Sequence, residues 1–408
     1  MRLLVAQLGP HQVHRRAVPL RKRLLAGHEH DDMVDQLGIL QREHGVRCVN
    51  LLGRRQGQPP GHHTRKHGGR IGLRSATMSE ARCIVRSSIN IDETFQVPHI
   101  VRPGETISSS GMWSRPGGKG ANVAAALGLA GAKVTMLGAV GEEATWPLDH
   151  LAKHGVEVGS VHRSKDTPTG RAFIQISSED GENSIVLLKG ANFEQAPALD
   201  DPEAWLKDAT HVMLQNEIPL DVTSAYAKHA EQHKTAQDGK RVCTVFNPSP
   251  MLSKEELQAF PWGGIDVLIV NEGEAADLLE AIGGKKSASP VEGLAALPAL
   301  SAVEWLVVTR GAQGFLAGVQ VGDERAYIDL PASRPEKVVN TTGAGDTFAG
   351  YLVAGLMEAH NAKEATTKES AERILKRAGV AASMAVEIDG AMESIPDLAA
   401  VQARAERL

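Results

Sequence analysis

Gly343, Ala344, Gly345 and Asp346, near the C-terminal end of the 408-residue chain, have the types and spacing for phosphoryl chemistry. A turn of small residues at the start of a helix aims free backbone N–H groups, and the positive end of the helix dipole, at one point, and that point attracts phosphate. Asp346 puts a negative charge there, which anion binding alone does not require. It reads either as the base that takes a proton from an attacking hydroxyl or as an acid that compensates the dipole of its own helix. The helix is legible from Phe348, Leu352, Val353 and Leu356, which fall on one face.

A second group is Gly117, Gly118, Lys119, Gly120, Ala121 and Asn122. Consecutive glycines let backbone come within hydrogen-bonding reach of a ligand, and Asn122 offers both a donor and an acceptor, which suits a sugar hydroxyl. The same glycines also suit a flexible lead-in to a helix. Lys119 does not make this a Walker A loop, because Gly120 stands where Ser or Thr would hold magnesium. Asp92 follows the first strand, where one carboxylate can bridge two adjacent hydroxyls of a polyol or cap a turn. Asn271 and Glu274 have capping-box spacing, which needs no ligand, yet Glu274 is also placed to meet magnesium through water. The run from Thr309 through Gly311 to Gly314 reads as a loop beside a nucleotide or as a tight turn.

Positioning these groups calls for alternating strands and helices. The runs 83–91, 133–140, 211–215, 242–246, 265–270 and 305–309 read as buried strands, and 121–129 as a helix ended near Gly131. Repeated βα units predict an α/β fold: a doubly wound, mainly parallel sheet with helices on both faces. Residues 94–113 and 170–188 alternate polar and apolar around glycine turns. They predict a small antiparallel sheet projecting as a lid over the carboxyl ends of the main strands.

Composition sets the boundaries of function. Residues 1–77 carry 14 Lys and Arg against 5 Asp and Glu, whereas the remainder carries 30 against 44, which leaves no footprint for nucleic acid on the folded part. The first 77 residues read as a disordered basic extension or a gene-model artefact before Met78, with a mitochondrial presequence over 1–28 as the further alternative. Cys48, Cys83 and Cys243 are too few and too scattered for a disulfide framework, which points to a reducing compartment, the cytoplasm or also the nucleus. The apolar stretch 123–132 is too short for a membrane span.

Over residues 78–408 these motifs, in this order, resemble the PfkB family of carbohydrate kinases. The resemblance rests on two signatures, 117–122 with its helix to Gly131 and 341–348. It also rests on the blocks Ser88 to Asp92, Gln215 to Glu217, Asn247 to Pro250 and Asn271 to Glu274. It implies an ATP-dependent kinase converting D-ribose to ribose 5-phosphate, with fructose or a nucleoside as alternative acceptors and a non-catalytic sugar-binding protein as the reading from another class. It puts Asn90, Asp92, Gly118, Lys119, Asn122 and Glu217 on the sugar, Asp346 as the base, and Gly343, Ala344 and Gly345 as the anion hole. Asn271, Thr309, Gly311, Gly314 and Gly345 would line the ATP site, with Glu274 serving Mg2+ through water. Asn340, Thr342, Val386, Asp389 and Ser394 would surround a monovalent cation, K+. That site is expected to be weakened, because Asn340 stands where the family has an Asp. A homodimer through the β lid is implied as well. Other departures are Arg86 and Ser87 before the Ser88 block, and Glu142, Glu143 and Trp146 after the third strand.

Overall fold

Short aliphatic runs buried on both faces form the centre of the fold, because parallel strands covered by helices on each side have no solvent face. In the computed structural model, which describes residues 80–234, 241–283 and 289–407, they build a nine-stranded sheet. The expected extension over 1–77 lies outside the described residues. Across the sheet the strands run Glu324–Leu330, Phe315–Val321, Trp305–Thr309, Val267–Asn271, Cys243–Asn247, His211–Gln215, Cys83–Arg86, Val134–Leu137 and Val156–Glu157. The seven from Trp305–Thr309 onward are parallel, and the first two add an antiparallel hairpin edge.

Successive residues of each strand feed opposite layers. Val85, Met213, Val245 and Val307 face the helices Lys119–Leu129, Ala344–Ala362 and Lys368–Ala385. Ile84, Val212, Leu214, Phe246 and Leu306 face the layer that holds Tyr226, Leu257, Leu278 and Leu294. Phe348, Leu352 and Val353 are buried, and Leu356 packs at the margin, as the periodicity predicts.

The run 83–91 is not one strand. It breaks after Arg86, and Asn90–Val97 leaves the main sheet for a four-stranded sheet ordered Gly111–Gly117, Asn90–Val97, Gly170–Ser177, Asn183–Leu188. Its outer pairings are antiparallel and its central one is parallel. Asn90–Val97 begins before the predicted segment 94–113 and Gly111–Gly117 runs past its end, so Asn90, Gly117 and Gly170 share one level at the root of the lid.

Candidate active site

Two helices deliver the central pair of side chains. Lys119–Leu129 and Ala344–Ala362 pack face to face at Gly350, where a Cβ would stand 2.4 Å from that of Ala126, so only glycine permits the approach. One turn earlier on each helix, Asn122 Nδ2 donates to Asp346 Oδ2 at 2.9 Å. Each helix has a glycine N-cap with positive φ, Gly118 at 91° and Gly343 at 79°, and no side-chain acceptor at the cap. At the start of Lys119–Leu129 the first N–H groups go to Glu217 and Ser88, whereas the first turn of Ala344–Ala362 has no side-chain cap and leaves N–H groups for a ligand. The Gly343 conformation is one L-residues rarely adopt, and a Cβ there would also meet Ala391 Cα at 2.9 Å.

Asp346 is half-buried. Burial pushes its carboxyl up to about 6; repulsion from Glu217 adds to this, against the pull of Lys119 and hydrogen bonds from Asn122 and Gln215. Asp92 rises to about 7, from burial first and then from the charges of Glu217, Glu393 and Asp346. Gly117 makes room for it, since a Cβ there would lie 2.3 Å from Asp92 Oδ1. Carboxylates crowded in this way favour a ligand rich in hydroxyl donors. Asn122 is 5 % exposed, and its Oδ1 has no hydrogen-bond partner. A buried acceptor left alone costs free energy, and a ligand hydroxyl would satisfy it.

Other expected sugar residues have part of their capacity committed. Asn90 Oδ1 accepts from Asn192 Nδ2 at 2.7 Å. Glu217 Oε2 accepts from Ser88 Oγ at 2.5 Å and from the Lys119 N–H at 3.0 Å, so this carboxylate fixes the start of the Lys119–Leu129 helix. Asn90 and Glu217 also line a cavity of about 340 Å³ walled by Leu187, Leu188, Phe193 and Met251. Ser87 is fully buried and donates to Gln215 Oε1 at 3.0 Å.

A larger cavity, about 690 Å³, brings together Asn271, Thr309, Gly311, Gly314, Thr341, Ala344 and Gly345. Ala332 to Pro335, Val338, Gly379, Ala382 and Ser383 complete its wall; sequence reasoning missed them. The only trace of them in the sequence is the small-residue spacing of 379, 382 and 383 along one helix face. Asn271 and Glu274 form the capping box in full, the Asn271 N–H donating to Glu274 Oε2 at 2.8 Å and the Glu274 N–H to Asn271 Oδ1 at 2.9 Å. Glu274 Oε1 alone lies outside this capping box, and a hard divalent cation would meet it through its hydration shell.

Several atoms expected around a monovalent cation are hydrogen-bonded within the protein. Asn340 Oδ1 accepts the Thr342 N–H at 2.9 Å, and Asn340 Nδ2 donates to Asp389 Oδ1 at 3.0 Å. Val386 O accepts two backbone N–H groups, from Val339 and Asn340. Ser394 Oγ donates to Ala391 O at 2.9 Å. Asp389 already faces a cation, the Arg115 guanidinium, at 2.8 Å.

The geometry sets the uncapped start of the Ala344–Ala362 helix beside an acid of raised pKa and an unpartnered amide oxygen, and the chain has known relatives. A profile described as pfkB family carbohydrate kinase matches residues 81–398, and the chain belongs to that family. It is a phosphotransferase acting on a hydroxyl group. The particular relatives are ribokinases. The chain is similar to the ribokinase of Haemophilus influenzae, 30% identical over 317 residues, covering 76% of this chain and 94% of that one. It also resembles the crystal structure of ribokinase from Cryptococcus neoformans in complex with ADP, at 42% identity and a TM-score of 0.68, over 79% of this chain and 99% of that chain. The Arabidopsis thaliana ribokinase complexed with ribose and ATP aligns at 28% identity and a TM-score of 0.65, over 80% and 98% of the two chains.

Proposed function

We propose that the chain transfers the γ-phosphoryl group of ATP to the primary hydroxyl of D-ribose, giving ribose 5-phosphate. The observation that carries the reading is the buried, unpartnered Asn122 Oδ1 beside Asp346. A hydroxyl that donates to this pair sits on the acid able to deprotonate it, next to the N–H groups at 343–345. Asp346 takes the proton as the oxygen attacks in line, while those N–H groups stabilise the charge spreading over the phosphoryl oxygens. A carboxyl near 6 is ionised at neutral pH yet basic enough to accept the proton. Asp92 and Asn90 hold the other hydroxyls, Gly118 admits the ring to the backbone, and Lys119 tempers the charge on Asp346. The larger cavity takes the nucleotide, with Asn271, Thr309, Gly311 and Gly314 along it. Mg2+, met by Glu274 through water, would neutralise phosphate charge when bound. The ribose and ATP named for the Arabidopsis structure support this substrate pair.

Strand Asn183–Leu188 exposes Ile185, Val186, Leu187 and Leu188 at 52, 63, 56 and 42%. An apolar edge of this kind is a pairing surface, and a second copy of the chain is its proposed occupant. The scattered cysteines support a cytoplasmic location, and no helix among the described residues is long and apolar enough to cross a membrane. The deciding experiment is a panel of D-ribose, D-fructose and adenosine with ATP, read by ADP release. The highest kcat/KM for D-ribose is expected. A preference for fructose or adenosine overturns the sugar assignment, and binding of ribose without turnover favours a sugar sensor.

A further inference from the structure

Arg115 lies on the lid strand Gly111–Gly117, directly across the ladder from Asp92. Its guanidinium begins a chain of polar contacts that ends at the anion turn. Arg115 Nη2 pairs with Asp389 Oδ2 at 2.8 Å, Asp389 Oδ1 accepts from Asn340 Nδ2 at 3.0 Å, and Asn340 Oδ1 accepts the Thr342 N–H at 2.9 Å. Thr342 immediately precedes Gly343. The orientation of the Asn340 amide is forced. Reversing it would set its oxygen against the Asp389 carboxylate and its NH2 against the Thr342 N–H.

We propose that Arg115 is a built-in cation for this turn, holding it through Asp389 and Asn340, so that turnover needs no exchangeable monovalent cation. The inference rests on the assignment of 343–345 as the anion hole. An acid at 340 would stand about where the Asn340 amide does, 3.0 Å from Asp389, and two carboxylates so close call for a shared proton or a cation between them. An amide does not, because it donates to Asp389 and accepts from the turn. The guanidinium also flanks Gly390, where a Cβ would lie 3.1 Å from Arg115 Nη1 and 2.8 Å from Glu393 Oε2. The positive charge therefore sits beside the loop acid Asp389, with Glu393 on the other side of Gly390. As an exposed ion pair, Arg115 and Asp389 add little to stability, so the role is one of position and charge.

The test is made on the full chain with ATP, Mg2+ and D-ribose at constant ionic strength in potassium, sodium or choline chloride, with kcat and melting temperature both recorded. Wild type is expected to give the same values in all three salts. Arg115→Met should lose turnover in choline and recover at least about fivefold in potassium, the scale of an ordinary coupling between sites. Asn340→Asp should acquire a saturable rise of melting temperature with potassium. A wild type that loses more than about fivefold of its kcat when choline replaces potassium overturns the proposal. So does an Arg115→Met loss equal in every salt. If wild type turns over no sugar in any salt, the functional assignment fails instead. The melting temperatures of wild type and Asn340→Asp then still decide whether position 340 excludes the ion.

Discussion

Asp346→Asn separates catalysis from folding, because the two should move in opposite directions. Loss of a general base lowers kcat by about 10² to 10⁴, or about 3 to 5 kcal/mol of transition-state stabilisation. Stability should rise. In the folded chain the Asp346 carboxyl titrates near 6 instead of 3.8, so the folded state holds the proton more tightly than the unfolded chain. Its contribution to stability is complete below pH 3.8 and is lost as pH rises through about 6, leaving a cost of about 3 kcal/mol for the ionised group at neutral pH. Asn carries no charge and still offers Asn122 an oxygen, so the variant should recover about 1 to 3 kcal/mol of this, a rise of about 1 to 4 °C in melting temperature. Turnover is measured by coupled ADP release, and melting by calorimetry at pH 5 and pH 8. The stabilisation should be larger at pH 8. Near wild-type turnover would refute the base, and a melting temperature lowered equally at both pH values would make Asp346 a structural residue.

Asn122→Ala removes both the acceptor for substrate and the donor to Asp346, so kcat/KM for D-ribose should fall by about 10 to 100-fold while KM for ATP holds, checked by steady-state kinetics. Gly350→Ala forces a Cβ against Ala126, and a loss of about 1 to 3 kcal/mol of stability, seen as a lower melting temperature, together with a lower kcat is expected from thermal melts and rates. A chain beginning at Met78 should melt and turn over as the full chain does, because the family match lies within residues 81–398; a loss of several degrees would give the first 77 residues a structural role. Val186→Glu should convert a dimer to a monomer in light scattering, since it charges the exposed apolar edge.

The strands at 211–215 and 305–309 are legible to the residue, because a strand buried on both faces has a continuous apolar centre, here Val212 to Leu214 and Trp305 to Val308. The break after Arg86 is not legible, since Ser87 and Ser88 are as buried as the strand and differ only in their partners, Gln215 and Glu217. Alternation foretells the lid strands but not which of them pair, so the parallel contact between Asn90–Val97 and Gly170–Ser177 is set by tertiary packing. At the site, Asn122 and Asp346 are readable by type, but the contact between them depends on the closeness of two helices at Gly350. The pairing of Arg115 with Asp389 spans 274 positions in sequence and carries no local signal, although Asp389 itself is named by the family resemblance.

The common root of the lid strands at Asn90, Gly117 and Gly170 makes the sheet a lever with unequal arms. Val97 stands about 24 Å from that line and Asp92 about 7 Å, at the usual rise per residue. A turn of about 10° as a rigid plate carries the tip about 4 Å and Asp92 about 1 Å, and about 1 Å is the tolerance within which reacting groups must be placed. A probe attached at the tip would therefore magnify a rigid rotation of the sheet more than threefold by this arithmetic. A force bracing the tip would hold Asp92 with the same mechanical advantage.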